Sequence, residues 1–322
     1  MHVLAIVIPA YKPDFFRAAL ASVAAQTDRR FRVYVGDDCG PPEIAGVCAE
    51  AAASGLDVVY HRFAENLGGR SLTAHWNRCV ALSSEPWVWL FSDDDVMGPD
   101  CVAAVHDELA RGRNTEVLRF NTEVIDRRGE TLEVNPAHPE LETGTDFTYS
   151  RLLGERNSYV VEYVFRRAAF DRAGGFPDFP VAWCSDDVAW YSFSEGGAIR
   201  TLRRGLVRWR ASGVNITDAK RRNQREKLDA GARFLRFVRE EVAPRDPDAT
   251  RSPADWRRAE ERWWVGQIRY LMPIGPGLWP LVLRSGEGVW RRKGVSRMIT
   301  LAAWNGLATL RALRGVVRRL VS

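Results

Sequence analysis

No apolar run in this 322-residue chain approaches the ~18 residues that span a bilayer. Cysteine is scarce: Cys39, Cys48, Cys79, Cys101 and Cys184 are odd in number and form no C-x-x-C pair, which argues against a disulfide framework and a zinc site. A reducing cytoplasm is the expected setting. The apolar run from Val3 to Ala10 has no basic region ahead of it and no cleavage site behind it, so a buried strand is expected rather than a secretory leader. Internal repeats, long low-complexity tracts and nucleic-acid recognition motifs are missing, and no nucleic-acid partner is expected. A glycine-rich loop with a basic residue is missing after the first strand. Pro9-Ala10-Tyr11-Lys12-Pro13 stands there instead, a poor fit to a nucleotidyltransferase.

What is present is a globular composition, 46% hydrophobic and 27% charged, in a chain long enough for one large domain or two smaller ones. The net charge of +5 is unevenly placed. Residues 280–322 hold nine Arg or Lys and one acid, Glu287, so that segment is +8 and the remainder −3.

The first 120 residues alternate strands and helices. Val3–Ile8, Phe31–Val35, Val58–His61 and Trp87–Phe91 read as strands. Phe15, Ala19, Leu20 and Val23 recur at helical spacing. Pro41-Pro42 open an alanine-rich helix that Gly55 stops, and Leu72, Trp76, Cys79 and Val80 mark a third helix. The β-α-β-α-β-α-β order predicts an α/β fold with a mainly parallel sheet covered by helices on both faces. From Arg119 to about Ile216 short strands and loops are expected, with turns at Gly174-Gly175 and Gly196-Gly197. Residues 218–241 read as an exposed charged helix and Ala243–Pro253 as a linker. A Trp-rich helix (Trp256, Trp263, Trp264) and an amphipathic helix near 296–320 follow.

Three consecutive aspartates, Asp93, Asp94 and Asp95, end the apolar run Trp87–Ser92. Carboxylates held this close repel and raise one another's pKa. Hard oxygen ligands in such a cluster suit Mg²⁺ or Mn²⁺, which are commonly held by one or two carboxylates together with a phosphate. In open α/β sheets ligands bind beyond the carboxyl ends of the strands. Asp37-Asp38 after the second strand, Asp93–Asp95 after the fourth and Pro9-Ala10-Tyr11 after the first all converge on that rim.

These motifs resemble the family 2 glycosyltransferases, inverting enzymes of the GT-A fold, over roughly residues 3–217. Val7-Ile8-Pro9-Ala10-Tyr11 is similar to the opening strand and nucleotide-binding turn. Gln26-Thr27 with Val35-Gly36-Asp37-Asp38-Cys39-Gly40 is similar to "SxxxQT…VDDGS", and Asn66-Leu67-Gly68 to the "NxG" loop. Phe91–Asp95 with Pro99-Asp100 is similar to "DxDD…PD", and Ala173-Gly174-Gly175-Phe176 with Asp186-Asp187 to "GGFxx…ED". Two positions depart from the pattern. Ser92 replaces the first acid of "DxD", which leaves the register of Asp93, Asp94 and Asp95 open by one place. Ser212 replaces a late histidine, so Arg210 is left to serve the phosphates.

The resemblance implies a nucleotide-binding half over about 1–100, an acceptor half over about 101–217 and a helical, basic C-terminal region over 218–322. Tyr11 would flank the base, with Pro9 and Ala10 shaping its pocket. Asp38 would accept a hydrogen bond from a pyrimidine, and Asp93 would lie near the ribose. Asp94, with Asp95 beside it, would hold the metal on the diphosphate. Asp187 would be the general base, with Asp186 its rival. Asn66 and Arg70 are further donor-side candidates, although an ordinary loop accounts for Asn66 equally well and a solvated arginine accounts for Arg70 better. Trp183 reads as a sugar platform for the acceptor or as core packing.

The expected activity is metal-dependent, inverting transfer from a nucleoside diphosphate sugar, UDP-linked, to a saccharide or lipid-linked acceptor in cell-surface polysaccharide synthesis. The rivals are a nucleotidyltransferase of similar architecture and a non-catalytic sugar-nucleotide or carbohydrate-binding protein. In the tail, Leu307, Leu310, Leu313, Val317 and Leu320 line one helical face beside Arg311, Arg314 and Arg318. That pattern fits a helix lying on an anionic membrane surface, at the cytoplasmic face, or one packed on the enzyme.

Overall fold

The computed structural model describes residues 2–195, 198–213, 215, 222–246, 251–285 and 305–306. The chain divides into two compact units, one of residues 1–148 and 156–214, the other of 149–155 and 215–322.

The first unit opens with the alternation expected of it: β1 (Leu4–Ala10), α1 (Phe16–Ala24), β2 (Phe31–Asp37), α2 (Glu43–Ala53), β3 (Val58–Arg62), α3 (Leu72–Val80) and β4 (Trp87–Leu90). It continues with β5 (Val96–Met97), α4 (Cys101–Ala110), β6 (Val117–Ile125), β7 (Thr131–Val134), β8 (Leu141–Glu142) and α5 (Gly144–Leu153), whose last turn belongs to the second unit. Then come β9 (Tyr163–Arg166), α6 (Arg167–Ala173), α7 (Ser185–Phe193) and β10 (Ile199–Arg210). The strands form one sheet in the order β3-β2-β1-β4-β9-β6-β10-β5, with β7 on β6 and β8 on β10. Strands β3, β2, β1 and β4 run parallel, as do β6 and β10, while β9 lies antiparallel between β4 and β6.

β1 is apolar at nearly every position because both its faces are covered. Successive side chains point to opposite faces, so Leu4, Ile6 and Ile8 join one core and Ala5 and Val7 the other. Trp89 anchors the first core, stacked on Phe120 at 4.9 Å with its indole N–H donated to the Val161 carbonyl at 2.7 Å. Trp89→Ala removes that ring from a fully buried site and is expected to cost about 3–5 kcal/mol, read as a lower urea midpoint with an unchanged slope.

The second half of this unit departs from the expectation of short strands and loops: β6 has nine residues and β10 twelve. Gly174 closes α6 in the left-handed conformation, as the Gly174-Gly175 turn predicts. Gly196-Gly197 lie outside the described residues.

In the second unit α8 (Gln224–Phe237), α9 (Pro253–Leu271) and α10 (Trp279–Ser285) are helical. Sequence reading overestimates the exposure of the helix in 218–241. α8 buries Lys227, Leu228, Ala230, Gly231, Phe234 and Leu235, because these recur at helical spacing along one face beneath its charges. Gly231 permits the close approach, since a Cβ there would meet the Trp264 ring at 3.1 Å. α9 starts on Pro253 with Ser252 and Asp255 forming a capping box, so the expected linker ends in a helix start. Of the amphipathic segment near 296–320, only Asn305 and Gly306 are described. Among the described residues no helix is long and apolar enough to cross a membrane.

Candidate active site

The order β3-β2-β1-β4 places the chain's change of direction beside β1, and the loops after β1 and β4 meet there. The backbone N–H groups of Tyr11 and Lys12 both donate to Asp93 Oδ2, at 2.9 and 3.0 Å. The amide of Asp38, after β2, donates to the Ala10 carbonyl at 2.9 Å. Pro9, Ala10 and Tyr11 therefore hang between two acidic turns, and the Tyr11 side chain is 48% exposed at the rim.

All three aspartates of the triplet are buried. Asp94 Oδ1 accepts from the Ser92 hydroxyl at 2.6 Å, while its Oδ2 is buried with no hydrogen-bond donor. Asp95 Oδ1 accepts the Arg210 amide at 2.6 Å. Burial, followed by the charge of Asp94, pushes the Asp93 carboxyl up to about 6 despite its two backbone donors. The same two causes raise Asp95 well above the carboxylate range. Arg210 lies close by, but its side chain donates to the carbonyls of Asp94 (2.8 Å), Asp126 (2.8 Å) and Arg127 (3.3 Å) and sits over the Phe15 ring. It ties β10 to the loops around the triplet.

A buried carboxylate oxygen without a donor, between two carboxyls that resist ionising, is a donor set that fits a divalent cation. Asp94 would hold such an ion. Among the described residues no group of three or more His, Cys, Asp or Glu side chains is arranged to hold a metal unaided. An ion here would need ligand oxygens from a bound molecule.

The Asp93 shift carries a sign. A carboxyl whose pKa is raised on folding contributes stability below the unfolded pKa and loses it as pH rises through the folded value. Both N–H donors use one oxygen of Asp93, so Asn can keep them. Asp93→Asn is therefore expected to raise the Tm of the metal-free protein at pH 7, by the equivalent of about 1 kcal/mol or more, with the gain vanishing near pH 4.

Asp38 spends its carboxylate on a loop. Oδ1 accepts from the Leu67 amide and Oδ2 from the Gly68 amide, each at 2.8 Å, and Arg78 also donates to Oδ1. His75 faces the same oxygen at 3.4 Å. Burial pulls this imidazole down to about 4, and its Nδ1 accepts from Arg78 Nε at 3.0 Å. Asn66 folds the loop onto itself by accepting the Gly69 amide at 2.6 Å, and exposed Arg70 pairs with Glu65. Asp37 is wholly buried and takes Tyr60, Arg62 and the Gly40 amide.

Asp186 and Asp187 occupy the first turn of α7, Asp187 buried and Asp186 half-buried. The chain reaches them through a strained turn: Val181, Ala182 and Cys184 all have positive φ, at 51°, 56° and 63°. For a β-branched residue such as Val181 this is a true outlier, of a kind that clusters at functional sites. Trp183 lies half-buried within that turn. Asp178 moors it to α3 by accepting the hydroxyls of Ser71 (2.7 Å) and Thr73 (2.8 Å), and Asn77 exchanges two hydrogen bonds with the Phe176 backbone.

The predicted residues thus fall into three groups: Pro9, Ala10, Tyr11, Asp93, Asp94, Asp95 and Arg210 around the triplet, Asp38 with Asn66 on the loop before α3, and Trp183, Asp186 and Asp187 at the start of α7. α3 links the last two, holding Asp38 through Arg78 and the α7 turn through Ser71 and Thr73. Arg70 pairs with Glu65 at the surface. Arg78, His75 and Asp178 escaped sequence reading. For His75 and Arg78 the signal is polar residues at positions 71, 75 and 78, a spacing that shares a helix face, and Asp178 has none.

The sheet, the flanking helices and the acidic rim define the GT-A glycosyltransferase architecture. Residues 5–162 match the family model described as Glycosyl transferase family 2, and the chain belongs to that family of enzymes. Its fold is similar to that of S. aureus TarS 1-349 in complex with UDP-GlcNAc, at a TM-score of 0.60 and 13% identity, covering 90% of this chain and 88% of that one. It is also similar to the mannosyltransferase PcManGT from Pyrobaculum calidifontis in complex with GDP-Man and Mn²⁺, at a TM-score of 0.54 and 14% identity, covering 99% and 87%. No curated protein sequence is close enough to the chain to count as a match.

Proposed function

We propose that the chain is a metal-dependent, inverting glycosyltransferase that moves a sugar from a nucleoside diphosphate donor, UDP-linked, to a saccharide or lipid-linked acceptor in cell-surface polysaccharide synthesis. The observation that carries this reading is the unpartnered Asp94 Oδ2 between Asp93 and Asp95 at the meeting of the β1 and β4 loops. Complexes of similar folds with UDP-GlcNAc and with GDP-Man and Mn²⁺ support a nucleotide sugar and a divalent ion, Mg²⁺ or Mn²⁺.

Bound at Asp94, the ion would supply Lewis-acid neutralisation of the departing diphosphate. The protein's own groups do the rest. Tyr11 offers an exposed ring to the base, and Asp93 holds the Tyr11 and Lys12 backbone in place for it. Asp38 fixes the loop at 66–68 and keeps one further acceptor position on Oδ2 for a pyrimidine N–H. The acidic pair at the start of α7 takes the proton of the acceptor hydroxyl, with Asp187 as base. Trp183, in the turn before them, supplies an apolar surface to an acceptor sugar.

A thermal-shift screen of UDP- and GDP-sugars, with and without Mn²⁺ or Mg²⁺, tests this reading. A metal-dependent rise in Tm with a uridine donor is expected, and no response to any nucleotide sugar would remove it. The basic tail gives a lipid-linked acceptor a place to be met, the inner membrane face, and rests on sequence alone. Vesicles of anionic lipid should float the full chain and release it when residues 280–322 are deleted; equal flotation of both forms would exclude that surface.

A further inference from the structure

α4 and the first half of β10 enclose a cavity of about 260 Å³, just below the ~300–1,000 Å³ of small-molecule pockets. Five guanidinium groups line it, those of Arg111, Arg113, Arg200, Arg203 and Arg204. Its acidic lining residues are three, Asp107, Glu108 and Glu140, so the lining carries two surplus positive charges. Glu108 is the organising group. Its buried carboxylate gathers three guanidiniums, from Arg111 at 2.9 Å, Arg200 at 3.0 Å and Arg113 at 3.5 Å. Arg200 is shared with Glu140 at 3.6 Å, so two carboxylates face these three guanidiniums and that of Arg203, and the excess is what an anion would relieve.

β10 is shaped to add two more. It pairs with β6 in register from Ile199 to Leu202, then resumes at Leu206 opposite the next β6 residue, so Arg203, Arg204 and Gly205 are extruded. Bulges of this kind re-aim side chains. Gly205 is required at its place: its φ is +89°, and a Cβ would come within 2.9 Å of Cys101 and Phe120. Arg203 and Arg204, 83% and 53% exposed, reach Glu140 and Asp107. Exposed pairs of this sort are worth ~0–1 kcal/mol, so exchanging them for a ligand costs little. A guanidinium fork matches phosphate oxygens two at a time and binds them more strongly.

We infer that this cavity is a second anion site, which takes a phosphate group carrying about two negative charges, from a soluble phosphate ester or from a phospholipid headgroup. It is separate from the acidic rim. Five residues of β10 lie between Arg204 and Arg210, a span of up to about 20 Å of strand. The inference does not depend on which donor or acceptor the rim takes.

Calorimetry on the full chain with inorganic phosphate, without divalent ions or nucleotide, tests it. Wild type should bind, Arg203→Ala with Arg204→Ala should weaken binding by roughly tenfold or more, and Asp94→Asn should leave it intact. Glu140→Gln, which removes a competing carboxylate, should tighten binding by up to about fivefold; a purely structural ion-pair network would give no gain. Vesicles of phosphatidylcholine with and without phosphatidic acid identify the source. Partitioning onto phosphatidic acid that drops in the double variant marks a headgroup, and phosphate binding without such a drop marks a soluble ester. Absence of binding to either probe, affinity unchanged in the double variant, or loss in Asp94→Asn instead would overturn the inference.

Discussion

Asp94→Asn is expected to abolish the enhancement of donor binding by Mn²⁺ or Mg²⁺ and to lower kcat/KM by about 10²–10³-fold, the usual effect of deleting one charge-stabilising group. The substitution conserves volume, and the amide oxygen can still accept from the Ser92 hydroxyl, so the turn should survive. What disappears is the second carboxylate oxygen, the one buried without a donor. Calorimetry with UDP separates the two effects: metal-free affinity should change little, and the increment on adding Mn²⁺ should vanish. Asp95→Asn is the informative contrast. Its carboxylate receives the Arg210 amide, which an asparagine oxygen can also accept, and its pKa is raised on folding as that of Asp93 is, so the Tm of the metal-free protein at pH 7 should hold or rise without the loss of metal response expected of Asp94→Asn. Metal-enhanced binding that persists in Asp94→Asn would remove this residue from the diphosphate site.

The first ninety residues were legible because their strands are covered on both faces, so continuous apolar runs alternate with helical spacing. The acidic rim was legible for the same reason: a strand that must be wholly apolar makes charged residues at its end stand out. β10 was not legible. Arg200, Arg203, Arg204, Arg208 and Arg210 interrupt its alternation, and the extruded residues 203–205 put its two halves out of phase. β9 has four residues, and its partners β4 and β6 lie far away in sequence, a pairing that no local pattern announces. Within the site, Asp38 reads as a free acceptor until Leu67, Gly68 and Arg78, 29 to 40 residues on, are seen to converge on it. The strained turn at 181–184 is silent because Val181, Ala182 and Cys184 take up a conformation that glycine would normally signal.

Asp187→Asn should lower kcat by about 10²–10⁴-fold, with donor KM and UDP affinity kept. The size follows from the role: a carboxylate that removes the acceptor proton acts only in the transition state, so its loss appears in kcat and not in ground-state binding. The competing explanation is structural, since acidic residues in a first helical turn favour the helix in any case. Asparagine separates the two, because it keeps the shape and an acceptor oxygen but cannot take up a proton. A structural acid would be replaced with a modest fall in Tm and near-normal turnover. A base would leave a folded, donor-binding enzyme that turns over slowly. Asp186→Asn, one position earlier and half-buried rather than buried, is the internal control and should retain most activity. If the loss falls on Asp186 instead, the more exposed carboxylate is the one that meets the acceptor. If both variants turn over normally, the start of α7 has no part in proton transfer, and the strain at Val181 and Cys184 would then serve the acceptor's position alone.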